Sequence, residues 1–343
     1  MRIALQGLFG LVIAAALLYW VLHDKDPKAL RQALGSASWS MLAAAAVINV
    51  GHNVFRVWRW RGLLAPVRPG VPFRPMFVSV ILGYMITFAG GRVGELVRPA
   101  LLSAKEDLPI GPCVGSVAAD RFLDGAAIVF LFAVGSLTAA FAPSAAGATA
   151  EIRAAAWIAL TVIVAALAGL ILVSAFGARV DSWLAARPRP IRWAGRAVVE
   201  VSRGVDALRS PRRLIPILIL SVAAWLTIAV GTWLGIRAAG APVGFADTLV
   251  LLPLLALGVA IPTPGAAGGY HAAMQFGLTT LFGIDATLAA GAGILMHLAI
   301  VLPIVALGAV MLFTEHISWS DLVAAVRQVK AMGAAPVPAE ASR

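Results

Sequence analysis

Three short stretches hold most of the residues able to do chemistry in an otherwise apolar chain. The first, GRVGELVRP at 91–99, carries Arg92, Glu95 and Arg98 among glycines. A spacing of three sets Glu95 beside Arg98 on one helical face. The second, AADRFLDG at 118–125, carries Asp120, Arg121 and Asp124. Asp120 and Asp124 share a face, and Arg121 is within reach of Asp124. The third, PTPGAAGGYHAAM at 262–274, has Pro262, Pro264, Gly265, Gly268 and Gly269 ahead of His271. Guanidinium groups match phosphate as forked donors, so Arg92, Arg98 and Arg121 form a candidate anion site. Glu95, Asp120 and Asp124 can hold those arginines and meet a cationic group. A helix beginning after Pro264 aims its positive end and free N–H groups at an anion, and His271, one turn in, titrates near neutral pH or donates to phosphate. The same residues also suit a static ion-pair network, with the prolines and glycines serving helix packing.

Enzyme chemistry fits less well. His23, His52, His271, His297 and His316 lack the paired spacing of metal ligands, so no metal or cofactor is implied. GAAGGYHAAM lacks the Lys of a phosphate loop and the Ser of a nucleophile elbow. A membrane-embedded transferase using Glu95 or Asp124 as base stays open. Cys113, the single cysteine, allows no disulfide within the chain.

The elements that position these residues follow from composition. Of 343 residues, 61% are hydrophobic and 13% charged, with mean hydropathy +0.91. Several apolar runs approach the roughly 20 residues that span a bilayer. The chain therefore reads as an all-α polytopic membrane protein. Its net charge of +11 points to cytoplasmic loops and anionic lipid rather than nucleic acid. Full spans are expected near 3–22, 39–56, 112–141, 154–176, 214–236 and 287–313. The run from Ile3 to Leu22 reads as a retained helix, since a signal peptide has a shorter core. The stretch after it is expected as a short polar loop with charges nearly balancing.

Two basic stretches fix the orientation. Arg56, Arg59, Arg61, Arg68 and Arg74 read as a positive-inside loop with Trp58 and Trp60 at the interface. Segment 177–213 carries nine arginines, and its apolar residues recur at steps of three and four, as in an amphipathic helix on a membrane surface. Eight simple crossings would place these two stretches on opposite sides. Letting 76–103 and 247–282 enter and leave on one side each puts both inside, along with both termini. The result is six full spans plus two opposed re-entrant hairpins, arranged as an inverted repeat: 1–141, an outer loop at 142–153, a second repeat at 154–313, and a cytoplasmic tail at 314–343. Pro and Gly interrupt helices, and broken backbone at membrane depth is tolerated only against protein or water. Inverted repeats with broken helices meeting at the midplane are a transporter plan. The tail is expected to be polar and disordered beyond a helix capped by Asp321.

Taken together, the three stretches resemble those of the membrane domain of lysylphosphatidylglycerol synthases, a flippase-like family. Its Gly-Glu-x-x-Arg segment matches at Gly94, Glu95 and Arg98. Its acidic-Arg-x-x-Asp segment matches at Asp120, Arg121 and Asp124. Its Pro-x-Pro-Gly-Gly-x-Gly-x-x-Glu segment matches at Pro262, Pro264, Gly265 and Gly268. Ala266 replaces the second glycine of that pattern, and His271 replaces the glutamate. The resemblance covers nearly the whole chain. It implies lipid handling in the plasma (inner) membrane: translocation of an anionic or amphiphilic lipid, with anionic phospholipid as partner. Alternatively, it implies an enzyme or accessory subunit working beside lipid-synthesis enzymes, for hopanoids or aminoacyl phospholipids. The aminoacyl-transfer domain of the fused synthases has no room after residue 313.

Overall fold

In the computed structural model, residues 2–90, 93–175, 183, 188 and 210–334 are described. Twelve α-helices and no strand occur among them. The helices are α1 (Arg2–Leu22), α2 (Pro27–Gly35), α3 (Trp39–Leu64), α4 (Phe73–Gly90), α5 (Gly94–Glu106), α6 (Ile110–Thr138), α7 (Thr149–Ala175), α8 (Pro211–Ala238), α9 (Phe245–Ala260), α10 (Gly269–Phe276), α11 (Ala286–Thr314) and α12 (Trp319–Ala334). Arg92 and most of 177–213 lie outside the described residues, so the amphipathic helix expected there does too.

By length and composition, α8, α11 and the Thr149–Gly169 part of α7 are able to cross a membrane. The pair α2 and α3, bent by 76°, makes a fourth candidate. Phe9–Leu22, Phe73–Phe88 and Phe245–Ala260 are shorter apolar stretches. Trp157, Ile158, Val162 and Val164 of α7 are all exposed. In water such a surface would be costly; in lipid it is the normal outer face of a bundle.

The helix breaks fall where glycine and proline put them. Helix α4 stops at Gly90 and α5 resumes at Gly94, folding back on α4. Helix α9 stops at Ala260 and α10 resumes at Gly269, folding back on α9. In both hairpins a pair of glycines eleven residues apart lets the arms touch: Gly83 with Gly94, and Gly258 with Gly269. A Cβ on Gly83 would lie 3.2 Å from the Gly94 carbonyl oxygen, and one on Gly258 would lie 2.5 Å from that of Gly269. Any side chain there would push the arms apart.

Contacts outside the hairpins come in matched pairs. Helix α3 packs along α8; α6 packs on α9, and α11 on α4; α3 packs on α6, and α8 on α11. One apolar core joins the start of α3, the end of α8 and the second hairpin, through Leu42, Ile236, Leu255 and Met274. A second joins the end of α3, the start of α8 and the first hairpin, through Val57, Trp60, Ile217 and Leu102. Helices α3 and α8 are therefore antiparallel. The outer partners differ: α1 lies on α10, whereas α12 lies on α5.

Three local expectations change. Residues 27–35 form a helix rather than a loop, because Asp26 caps it by accepting from the Lys28 N–H at 3.0 Å and Pro27 suits the first turn. Helix α3 continues through Arg56 and Arg59 to Leu64, because partners inside the bundle take up their charge. Trp60 is accordingly fully buried rather than at an interface, while Trp58 stays exposed. In the tail, α12 begins with a reciprocal cap. The Ser318 N–H donates to Asp321 Oδ2 at 2.8 Å, and the Asp321 N–H donates to Ser318 Oγ at 3.2 Å. Residues 335–343 lie outside the described part.

Candidate functional site

Asp120 and Asp124, one turn apart on α6, face the bundle interior beside α3, α5 and α8. Burying two carboxylates alone would be prohibitive, and four arginines compensate them. Asp120 accepts from Arg59 Nε at 2.8 Å and from Arg98 Nη1 at 2.7 Å, with Arg56 Nη1 at 3.4 Å. Asp124 accepts from Arg56 Nη1 at 2.7 Å, Arg59 Nη2 at 2.7 Å, Arg121 Nη1 at 3.2 Å and the Trp225 indole N–H at 3.0 Å. Arg59 also donates to Ser221 Oγ at 3.3 Å, which ties in α8. Arg59 and Asp120 have no exposed surface.

Aromatic rings line the cluster. The Arg98 guanidinium sits 4.2 Å over the Trp60 ring, whose indole N–H donates to Ser116 Oγ at 2.8 Å. Arg121 Nη2 donates to the Tyr84 hydroxyl at 3.4 Å, and Arg56 lies 5.6 Å over the same ring.

Cations and anions do not balance here. Four guanidiniums face two carboxylates, leaving an excess of two positive charges. Arg98 Nε and Nη2, Arg56 Nε and Arg121 Nε are buried with no hydrogen-bond partner among the described residues. A narrow crevice of about 10 Å³, room for about one water, opens beside them, lined by Tyr84, Thr87, Gly94, Glu95, Arg98 and Arg121. Glu95 is exposed at its rim and forms no ion pair with another described residue. Among the described residues Asp120 and Asp124 form the ion pairs with the arginines; Arg92, which Glu95 was also expected to hold, lies outside them.

The Pro-Gly stretch lies elsewhere. Pro264–Ala266 is a single 3₁₀ turn, with Gly265 at φ +64° and Ala266 at φ +56°. Gly268, at φ +83°, then delays the helix start to Gly269, rather than directly after Pro264. His271 turns back on its own helix, its Nδ1 accepting from the Gly268 N–H at 3.3 Å. Its ring stacks on His297 of α11 at 4.7 Å, with Tyr270 edge-on at 6.2 Å. No hydrogen bond or ion pair among the described residues links His271 to the arginine cluster. The two hairpins do meet at their tips: a Cβ on Gly265 would lie 3.4 Å from the Phe88 carbonyl oxygen.

Thus Arg98, Asp120, Arg121 and Asp124 come together, with Glu95 at the rim, while Pro264, Gly265, Gly268 and His271 form a neighbouring wall. Sequence reading missed Arg56, Arg59, Tyr84, Ser221 and Trp225. For the two arginines a signal existed: three residues apart on one face, they extend the polar row of Asn49, His52 and Asn53.

No curated protein matches the chain. A family model described as the lysylphosphatidylglycerol synthase TM region matches residues 7–308, so the chain belongs to that family of membrane proteins involved in lipid biology.

Proposed function

We propose that this protein is a lipid translocase whose arginine cluster takes the anionic headgroup of a membrane lipid. The observation that carries the reading is the excess of arginines over carboxylates, three buried and one half-buried against Asp120 and Asp124, with guanidinium N–H groups unpaired beside a cleft. Buried donors without partners are costly, and a phosphate supplies both the missing charge and the missing acceptors. Asp120 and Asp124 are engaged by arginines on all sides, which suits holding rather than proton transfer and counts against their use as a catalytic base.

The matched helix contacts and the two glycine pairs of equal spacing support an inverted repeat with two opposed re-entrant hairpins. In that arrangement α4 and α5 enter from the cytoplasmic side, and α9 and α10 from the other. Both termini are then cytoplasmic and the host is the inner membrane. The cleft has little room, so headgroup entry requires α5 to move relative to α6, and the Arg98–Asp120 bond is the contact that such motion exchanges. A non-transporting subunit of a lipid-synthesis complex is the second reading, favoured by the near-saturation of the two carboxylates.

The test is a scrambling assay with fluorescent lipids in proteoliposomes, comparing wild type with Glu95→Ala and Arg98→Ala. Translocation by wild type and its loss in Arg98→Ala is the expected result. Absence of lipid movement with folded wild-type protein would overturn the translocase reading.

A further inference from the structure

The region between α1 and α3 carries a second feature, separate from the arginine cluster. Helix α2 has two faces. Leu30, Ala33 and Leu34 turn inward onto α11, within 3.6 to 4.0 Å of the place where a Cβ on Gly291 would sit. Lys28, Arg31 and Gln32 are exposed. The axis of α2 lies 76° from that of α3, as for a helix lying along a membrane surface beside a span. Aromatic side chains flank α2 in sequence on both sides. Tyr19 and Trp20 are exposed at the end of α1, and Trp39 is exposed at the start of α3. Such rings collect at the boundary between headgroups and acyl chains.

Between α2 and α11 runs an open groove of about 340 Å³, lined by Leu34, Trp39, Ile294, Leu295 and Leu298, with Arg31 at one edge. Its wall is apolar apart from that arginine. The nearby acids are already engaged: Asp24 pairs with Lys25, and Asp26 caps α2. Arg31 forms no ion pair among the described residues.

We infer that the groove between α2 and α11 is a binding site for one anionic phospholipid, its phosphate on Arg31 and an acyl chain along Leu34, Ile294 and Leu298. Charge complementarity selects this occupant. A cation at the rim of an apolar groove, with Trp39 in its wall, offers the two surfaces that a phospholipid presents at the headgroup boundary. A bound lipid braces α2 against α11 next to the turn that carries His297. The site stands independently of the translocase reading, since it needs occupancy and not transport.

The experiment uses the full chain in nanodiscs doped with phosphatidic acid or phosphatidylcholine, each bearing a photoactivatable diazirine on one acyl chain. Adduct positions are mapped by mass spectrometry. Phosphatidic acid is expected to label Trp39 and residues 294–298 about fivefold more than phosphatidylcholine does, the preference that one interfacial arginine confers. Arg31→Gln removes that preference, and Leu298→Trp fills the groove and moves the adducts elsewhere. Both residues are exposed, so both variants fold, which a thermal melt verifies. Equal labelling by the two lipids, labelling unchanged in Arg31→Gln, or cross-links to a second copy of the chain at 294–298 would each overturn the proposal. Failure of the scrambling assay would leave it intact.

Discussion

Arg98 Nη1 lies 2.7 Å from Asp120 Oδ2, and this bond fastens the second arm of the first hairpin to α6. Asp120 holds Arg59 on its other oxygen, so a single carboxylate joins α3, α5 and α6. Removing it leaves Arg98 with no carboxylate and Arg59 with Asp124 alone, in a cluster that already has too few anions. Asp120→Asn is expected to cost about 3–5 kcal/mol, the range for breaking a buried pair. Arg98→Ala should cost less, because it removes one of the excess charges. In a double-mutant cycle of thermal melts in detergent, the double variant should be more stable than additivity predicts. Strict additivity would mean that the two residues do not act as a pair.

Glu95 offers the opposite case. It sits at the cleft rim, exposed and without an ion pair among the described residues, on a helix whose other side is buried. Glu95→Gln should leave the melting free energy within about 0.5 kcal/mol of wild type, as for an exposed surface change. The same substitution should still alter lipid translocation, since it removes the carboxylate at the cleft rim. A variant with normal stability and normal translocation would exclude Glu95 from the site.

The contrast between these residues explains what was legible in the sequence. The end of α4 at Gly90, the restart at Gly94 and the break at 261–268 followed from glycine and proline chemistry, which acts locally. Asp120, Arg121 and Asp124 were readable as a unit because helical spacing alone brings them together. Arg56 and Arg59 looked like an interfacial anchor, because their partners lie more than 60 residues away and only the packing of α3 on α6 reveals them. His271 was placed beside the cations by its motif, yet the local turn at Gly268 aims its ring at His297 instead. Helix α2 was hidden for a similar reason. Its charges balance along the chain, whereas in space the acids are tied up and the cations face outward.

Ala266 and Gly268 make a paired prediction about the Pro-Gly turn. Ala266 has φ +56°, a region that costs a residue with a Cβ about 1 kcal/mol. Ala266→Gly relieves that strain but adds about 0.5–1 kcal/mol of chain entropy, so the net change in a thermal melt should be near zero. Gly268→Ala has no such compensation. It combines φ +83° with a Cβ placed 2.9 Å from both the Ala14 carbonyl oxygen and Leu17 Cβ. It should lower stability and loosen α1 from α10, with faster hydrogen exchange in 10–20. Equal melts for both variants would mean that α1 does not pack on this turn.

Glu315, at the end of α11, pairs with Lys105 and with Arg74, the latter at 2.8 Å, and so links α11 to α4 and α5 just before α12 begins. The Lys105 hydrogen bond, followed by that of Arg74, holds its carboxyl below the ordinary glutamate value. The folded form therefore binds this proton less readily than the unfolded form does. The stabilisation is complete above the unfolded value of about 4.3 and disappears as pH falls through the lower folded value. Hydrogen exchange in α12 should be insensitive to protonation of this residue between pH 7 and pH 5, once corrected for intrinsic rates, and should accelerate only below that window. Glu315→Gln should give the faster exchange at every pH and lose the acid step. An acid step that survives in Glu315→Gln would assign the transition to a different carboxylate.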